Sequence, residues 1–178
     1  PADRGAAPMT GLAGLPLVTL VTFLPALGAL AVAFMPASRP SLARYAALGC
    51  ALLAWVVSLV MLVGFVATDH ADQFTESVPW IPMFGINYAV GVDGLSIALV
   101  VLTTTLTWIS ILASFGPIQN RVKEYMVAFL VLEVGMTGVF VALDLFLFYV
   151  FWELVLVPMY LIIGVWGGAN RIYATIKF

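Results

Sequence analysis

Two glutamates, Glu133 in "FLVLEVGMTG" and Glu153 in "FLFYVFWELVLVPMYLIIGVWGG", sit inside runs otherwise made of uncharged, mostly apolar residues. The second run, Phe146 to Gly168, carries one charge and can cross a bilayer as a helix, for which about 20 residues suffice. An ionisable group at that depth costs about 3 kcal/mol and points by default to a function with a partner. A carboxyl in low dielectric takes or releases its proton according to whether a cation or hydrogen-bond donors stabilise the anion. That is the property a proton relay needs. The same carboxyls also suit a purely structural use, hydrogen-bonded between helices.

Other residues bear on that chemistry. Pro158 cannot donate to the carbonyl of Leu154, so a kink is expected one turn beyond Glu153, with a freed carbonyl open to water, to a proton carrier or to a neighbouring helix. Thr103, Thr107, Ser110 and Ser114 recur on one helical face, which fits close helix packing or a hydrated track. Gly135 and Gly138 read as packing residues, and Trp80 and Trp166 as members of interfacial aromatic belts. Cys50 is the lone cysteine, so it forms no intrachain disulfide, and a small buried apolar role suits it. No phosphate-binding glycine loop, metal-ligand spacing or Ser/His/Asp set is present.

The elements that must position these residues follow from composition. The chain is 63% hydrophobic and 9% charged, with mean hydropathy +1.13. A soluble domain carries about 25% charged residues, so this is a polytopic membrane protein with an all-α fold. A net charge of −2 without a basic cluster excludes nucleic-acid binding. Five spans are expected, at about residues 15–35, 45–66, 95–115, 125–143 and 145–166, with the start of a sixth in "RIYATIKF". The chain starts at Pro1 and stops inside that last apolar segment, so a longer parent protein is expected. The connection from Thr68 to Gly94 is acidic, and its "INYAV" alternation suits a short strand or hairpin outside the hydrocarbon.

Basic residues set the orientation. Arg39, Arg44, Arg121, Lys123, Arg171 and Lys177 fall in the odd-numbered turns, which are therefore cytoplasmic. Arg4, the acidic connection with His70, and the Asp144 turn fall on the external face. The fourth and fifth spans, joined by "LD", form an antiparallel hairpin. Both glutamates then lie roughly 13 to 15 Å from the same surface, at about 1.5 Å per residue, and one layer near the bilayer centre is expected to hold both. No Lys, Arg or His lies within the five spans, so a cationic partner must come from elsewhere.

The stretch from Arg121 to Phe178, with its "FWELVLVPMY", and "GVDGLS" at Gly91 to Ser96 closely resemble the antiporter-like subunit M family of bacterial complex I, the proton-translocating NADH:quinone oxidoreductase. Mitochondrial subunit 4 is similar. The resemblance implies a fold of about fourteen transmembrane helices built on inverted five-helix repeats. Residues 1–90 would supply two N-terminal helices and the external loop, and residues 91–178 the first three helices of a repeat and the start of a fourth. It also implies that Glu153 belongs to a proton channel and interacts with a lysine on a broken helix absent from these residues. Glu133 matches a second family glutamate. Neighbouring antiporter-like membrane subunits would be the partners. NADH, FMN, iron-sulfur clusters and quinone would be bound by other subunits, and the complex would lie in the bacterial inner membrane. A subunit of a multisubunit sodium/proton antiporter, or a non-catalytic membrane scaffold, are the alternatives.

Overall fold

The structure is a computed structural model that describes residues 15–66 and 71–178; Arg4 and His70 lie outside the described residues. Each helix begins where local chemistry supplies a start. Pro16 precedes α1 (Leu17–Phe34), and Pro40 opens α2 (Pro40–Gly64), where its missing N–H has no intrahelical acceptor to lose. At the start of α3 (Gly94–Ala113), the Asp93 side chain accepts from the amides of Leu95 and Ser96 while the Ser96 hydroxyl accepts from the Asp93 amide. The Asp144 carboxylate accepts from the amides of Phe146 and Leu147 and starts α5 (Leu145–Trp166). α4 (Val122–Val141) lies between α3 and α5, and a short α6 (Arg171–Lys177) follows, the expected start of a sixth helix.

Among the described residues, five helices, α1 to α5, are long and apolar enough to span a bilayer, as the hydropathy pattern predicts. The acidic connection between α2 and α3 forms an antiparallel hairpin of β1 (Gln73–Ile81) and β2 (Ile86–Val92). Gly85 closes its turn at φ 67°, a conformation that favours glycine. Of the short strand or hairpin expected, the hairpin is present, added to the helices of the described residues.

Helix α4 is the centre of the bundle. It packs against α1, α2, α3 and α5, and 61% of its spanning window is buried, against 17% for α5. Two apolar clusters fill the interior. One, towards the hairpin, includes Val18, Val21, Met61, Val100, Val134 and Phe151. The other, at the opposite end, includes Ala29, Val32, Ala47, Ile111, Met126 and Leu130.

The two ends are tied down by opposite charges. At the hairpin end, Glu76 Oε1 accepts from the amides of Val18 and Thr19, so a strand residue caps α1 where Pro16 offers no side-chain bond. Thr19 also donates to the other Glu76 oxygen and contacts the Tyr88 hydroxyl at 2.6 Å. Asp144 Oδ2 accepts from the Asn87 amide at 3.2 Å, and the Leu143 amide donates to the Ala89 carbonyl at 2.8 Å. At the far end the cations meet carbonyls. Lys123 donates to the carbonyls of Ala33 and Met35 at the end of α1, Arg44 to that of Ile118, and Arg171 to that of Val165. Trp166 donates to the Asn120 carbonyl there, while Trp80 packs on Phe146 at the hairpin end.

Candidate functional site

The two glutamates point away from the seam between α4 and α5, in different directions. That seam is built on glycine. A Cβ on Gly138 would lie 2.2 Å from the Phe151 ring, and one on Gly135 would lie 2.7 Å from Val155 Cγ2. The two glycines therefore let α5 approach α4 more closely than any side chain would allow. The contacts also set depth, because Glu153 lies between Phe151 and Val155 and so stands level with the Gly135–Gly138 stretch. Glu133 is then about one turn, ~5 Å, away along the axis. In depth, the expected layer exists.

In direction, the carboxyls part. Successive residues rotate by about 100° around a helix, so residues two apart lie on nearly opposite sides. Glu133 is two residues from Gly135 and turns into the bundle, where it is fully buried. Glu153 is two residues from both Phe151 and Val155, and it emerges on the outer surface of α5 beside Trp152, which is 52% exposed. The expectation of one layer therefore holds for height, and the structure does not bring the two side chains together.

Around Glu133 the packing is tight. Cys50 on α2 is its electrostatic neighbour, and a Cβ on Gly28 of α1 would meet Cys50 Sγ at 2.8 Å and Leu130 at 3.4 Å. Cys50 is thus part of the wall at this level, half-buried between helices. Neither Glu133 oxygen has a hydrogen-bond partner among the described residues, and neither does the buried Thr137 hydroxyl one turn further along α4. Thr137 is not among the residues that stand out in the sequence, and its spacing of four from Glu133 is the one signal there that marks it.

The hydroxyl face of α3 is largely occupied with packing. Thr107 donates to the Thr103 carbonyl and Ser114 to the Ile111 carbonyl. Thr104 and Thr105, outside the predicted track, bond across to Ser58 and Trp55 of α2. Pro158 is buried within α5, which continues through it to Trp166. No group of three or more metal-ligating side chains occurs among the described residues.

Residues 45–143 match the family described as NADH-ubiquinone oxidoreductase chain 4, amino terminus. The chain belongs to that family. Residues 142–178, which hold Glu153, match the transmembrane family described as NADH:quinone oxidoreductase/Mrp antiporter. Among relatives of the chain 4 family, the NADH-quinone oxidoreductase subunit M of Rhodobacter capsulatus is 49% identical over 167 residues, covering 91% of this chain and 32% of that protein. The NADH-ubiquinone oxidoreductase chain 4 of Arabidopsis thaliana is 44% identical over 147 residues, covering 83% of this chain and 30% of that protein. The chain thus spans about a third of the length of these relatives. Two solved structures share the fold. A chain of respiratory complex I from Thermus thermophilus with bound NADH superposes with TM-score 0.73 at 24% identity, over 90% of this chain and 31% of that one. A chain of an archaeal membrane-bound sulfane sulfur reductase superposes with TM-score 0.75 at 19% identity, over 92% and 33%. The chain 4 family member described here is a multi-pass membrane protein.

Proposed function

We propose that this chain 4 family member serves in a proton-translocating membrane subunit of NADH:quinone oxidoreductase, with Glu153 and Glu133 as its proton-carrying groups. The observation that carries the reading is the pair of carboxyls at one depth of a spanning bundle, with no cation beside either among the described residues. Mid-membrane carboxyls without a permanent counter-ion can change protonation as a positive group approaches and withdraws. The two then have separate surroundings. Glu153 meets a lysine from a helix outside these residues, a reading that its exposure on the outer face of α5 supports, and Glu133 serves inside the bundle.

The division of labour follows the resemblance. Residues 91–178 open the first antiporter-like repeat, residues 1–90 precede it, and other antiporter-like membrane subunits are the neighbours. NADH, FMN, iron-sulfur clusters and quinone are handled by partner subunits, so the chain takes part in an enzyme without holding its redox centres. The site of action is the bacterial inner membrane. The match of residues 45–143 to chain 4 supports complex I over a sodium/proton antiporter.

The test is NADH-driven proton uptake, read alongside quinone reductase activity, by membrane vesicles in which the full-length protein carries Glu153→Gln, with assembly of the complex confirmed separately on native gels. Loss of uptake, or of the coupling between uptake and turnover, is expected. Full uptake per electron in an assembled complex would make Glu153 a structural residue.

A further inference from the structure

At mid-depth, where one apolar cluster gives way to the other, the bundle interior turns polar. Thr22 of α1, Ser58 of α2 and Thr103, Thr104 and Thr107 of α3 are at most 8% exposed there. Most of these hydroxyls are satisfied. Thr22 donates to the Val18 carbonyl, Thr104 to the Val100 carbonyl and Thr107 to the Thr103 carbonyl, each four residues back. Ser58 donates to the Trp55 carbonyl and bonds Thr104 at 2.9 Å. On α4 the pattern breaks. Glu133 and Thr137 are both 0% exposed, and their three side-chain oxygens have no hydrogen-bond partner among the described residues.

Buried polar atoms without partners forfeit their hydration with nothing in return, so this arrangement calls for a ligand or a paired state. Spacing supplies the pair. Residues four apart stack on one helix face, and helical side chains lean towards the N-terminus, so Thr137 overhangs the turn that carries Glu133. A carboxylate only accepts, a carboxylic acid also donates, and a hydroxyl does both. The two side chains can therefore bond in either protonation state. With the anion, the Thr137 hydroxyl donates to a carboxylate oxygen. With a proton added, the acid O–H donates to Thr137 Oγ1, and the Thr137 proton swings to the Glu133 carbonyl, the four-back bond that Thr22, Thr104 and Thr107 already make in their helices.

We propose that Glu133 and Thr137 form one enclosed proton-holding pair, in which Thr137 is the positioning residue and exchanges donor and acceptor roles as the proton arrives and leaves. The pair rests on the reading that protons pass through this bundle, and it adds a residue and a mechanism to that reading. The proton is the only species transferred. No bond between heavy atoms forms or breaks. Cys50 is the neighbouring titratable side chain on the facing helices, and its thiol is a weak donor and acceptor, which leaves Thr137 as the effective hydroxyl partner.

The test uses the assembled complex with the full-length protein carrying Glu133→Gln, Thr137→Val or Thr137→Ser. Two quantities are read: NADH-driven proton uptake, and the infrared C=O stretch of protonated carboxyls in spectra of resting and turning-over membranes. Thr137→Val keeps side-chain shape and removes the hydroxyl. It is expected to slow uptake about fivefold, the change that loss of one hydrogen bond gives, and to move the carboxyl band that Glu133→Gln abolishes. Thr137→Ser should restore both. The pair is overturned if Thr137→Val leaves uptake and band unchanged, or if Glu133→Gln removes no band. Should that happen while Glu153→Gln stops uptake, the proposed function stands without the pair. If neither glutamine variant affects uptake, the reading beneath the pair falls as well.

Discussion

The carboxylates of this protein divide by the donors they meet. Among the described residues Glu133 meets none, whereas Asp144 accepts from the amides of Asn87, Leu147 and Phe146, and these bonds hold its carboxyl below the usual carboxylate range, Asn87 contributing most. The sign of the pH dependence follows. A lowered folded value means that the unfolded chain binds the proton more readily, so the stabilisation is present above the unfolded value of about 4. It is lost as pH falls through the lower folded value. Acidification from about pH 5 to pH 2 should therefore loosen the hairpin from the start of α5. Trp80, packed on Phe146 with ring centroids 5.9 Å apart, reports that contact. Its fluorescence, taken as the difference from a Trp80→Phe protein, should show an acid transition that Asp144→Asn removes. A transition unchanged in Asp144→Asn would assign the effect to another group.

Among the elements, the α4–α5 seam has the least slack. The Phe151 ring occupies the space that a Cβ on Gly138 would need, with Cδ1 at 2.2 Å and Cγ at 2.3 Å. Gly138→Ala should therefore push the helices apart and destabilise the bundle by about 1–3 kcal/mol, the usual cost of overpacking. A lower Tm of the purified complex, with partial recovery in Gly138→Ala/Phe151→Leu, would show that the steric clash is the cause. The same substitution at Gly49, where a Cβ meets nothing within 4 Å, is the control and should be close to neutral. The seam was partly legible in sequence. Gly135 and Gly138 were visible as packing residues, yet α5 is apolar almost all round, so no periodicity marked which of its faces would meet them.

At the scale of the whole molecule, charge sorts the two ends of the bundle. Glu76, Asp93 and Asp144 cap helix starts at the hairpin end, and Arg44, Lys123 and Arg171 hold carbonyls at the other. Each acidic side chain thus caps the start of a helix, and each basic side chain reaches from near the start of its own helix to a carbonyl at or beyond the end of another. The basic end is the one that the positive-inside rule retains in the cytoplasm. In a full-length protein with Cys50→Ala, a cysteine at Ser77 on the hairpin should react with a membrane-impermeant maleimide in intact spheroplasts. A cysteine at Asn120 should react only after permeabilisation. The opposite pattern would invert the topology.

Sequence alone determined the number of spans, the hairpin, the sorting of charge and the depth of both glutamates. All of these depend on position along one dimension, through run length, rise per residue and the cost of placing charge in hydrocarbon. Tertiary structure alone decided which way each carboxyl faces. Glu133 and Glu153 have similar apolar contexts in sequence, and the glycine seam, by fixing which sides of α4 and α5 touch, turned one inward and the other outward. The same packing left Thr137 without a hydrogen-bond partner among the described residues and brought Glu76, 58 residues away in sequence, onto the first turn of α1. These are long-range outcomes of close packing among five helices, and no local pattern in a uniformly apolar chain encodes them.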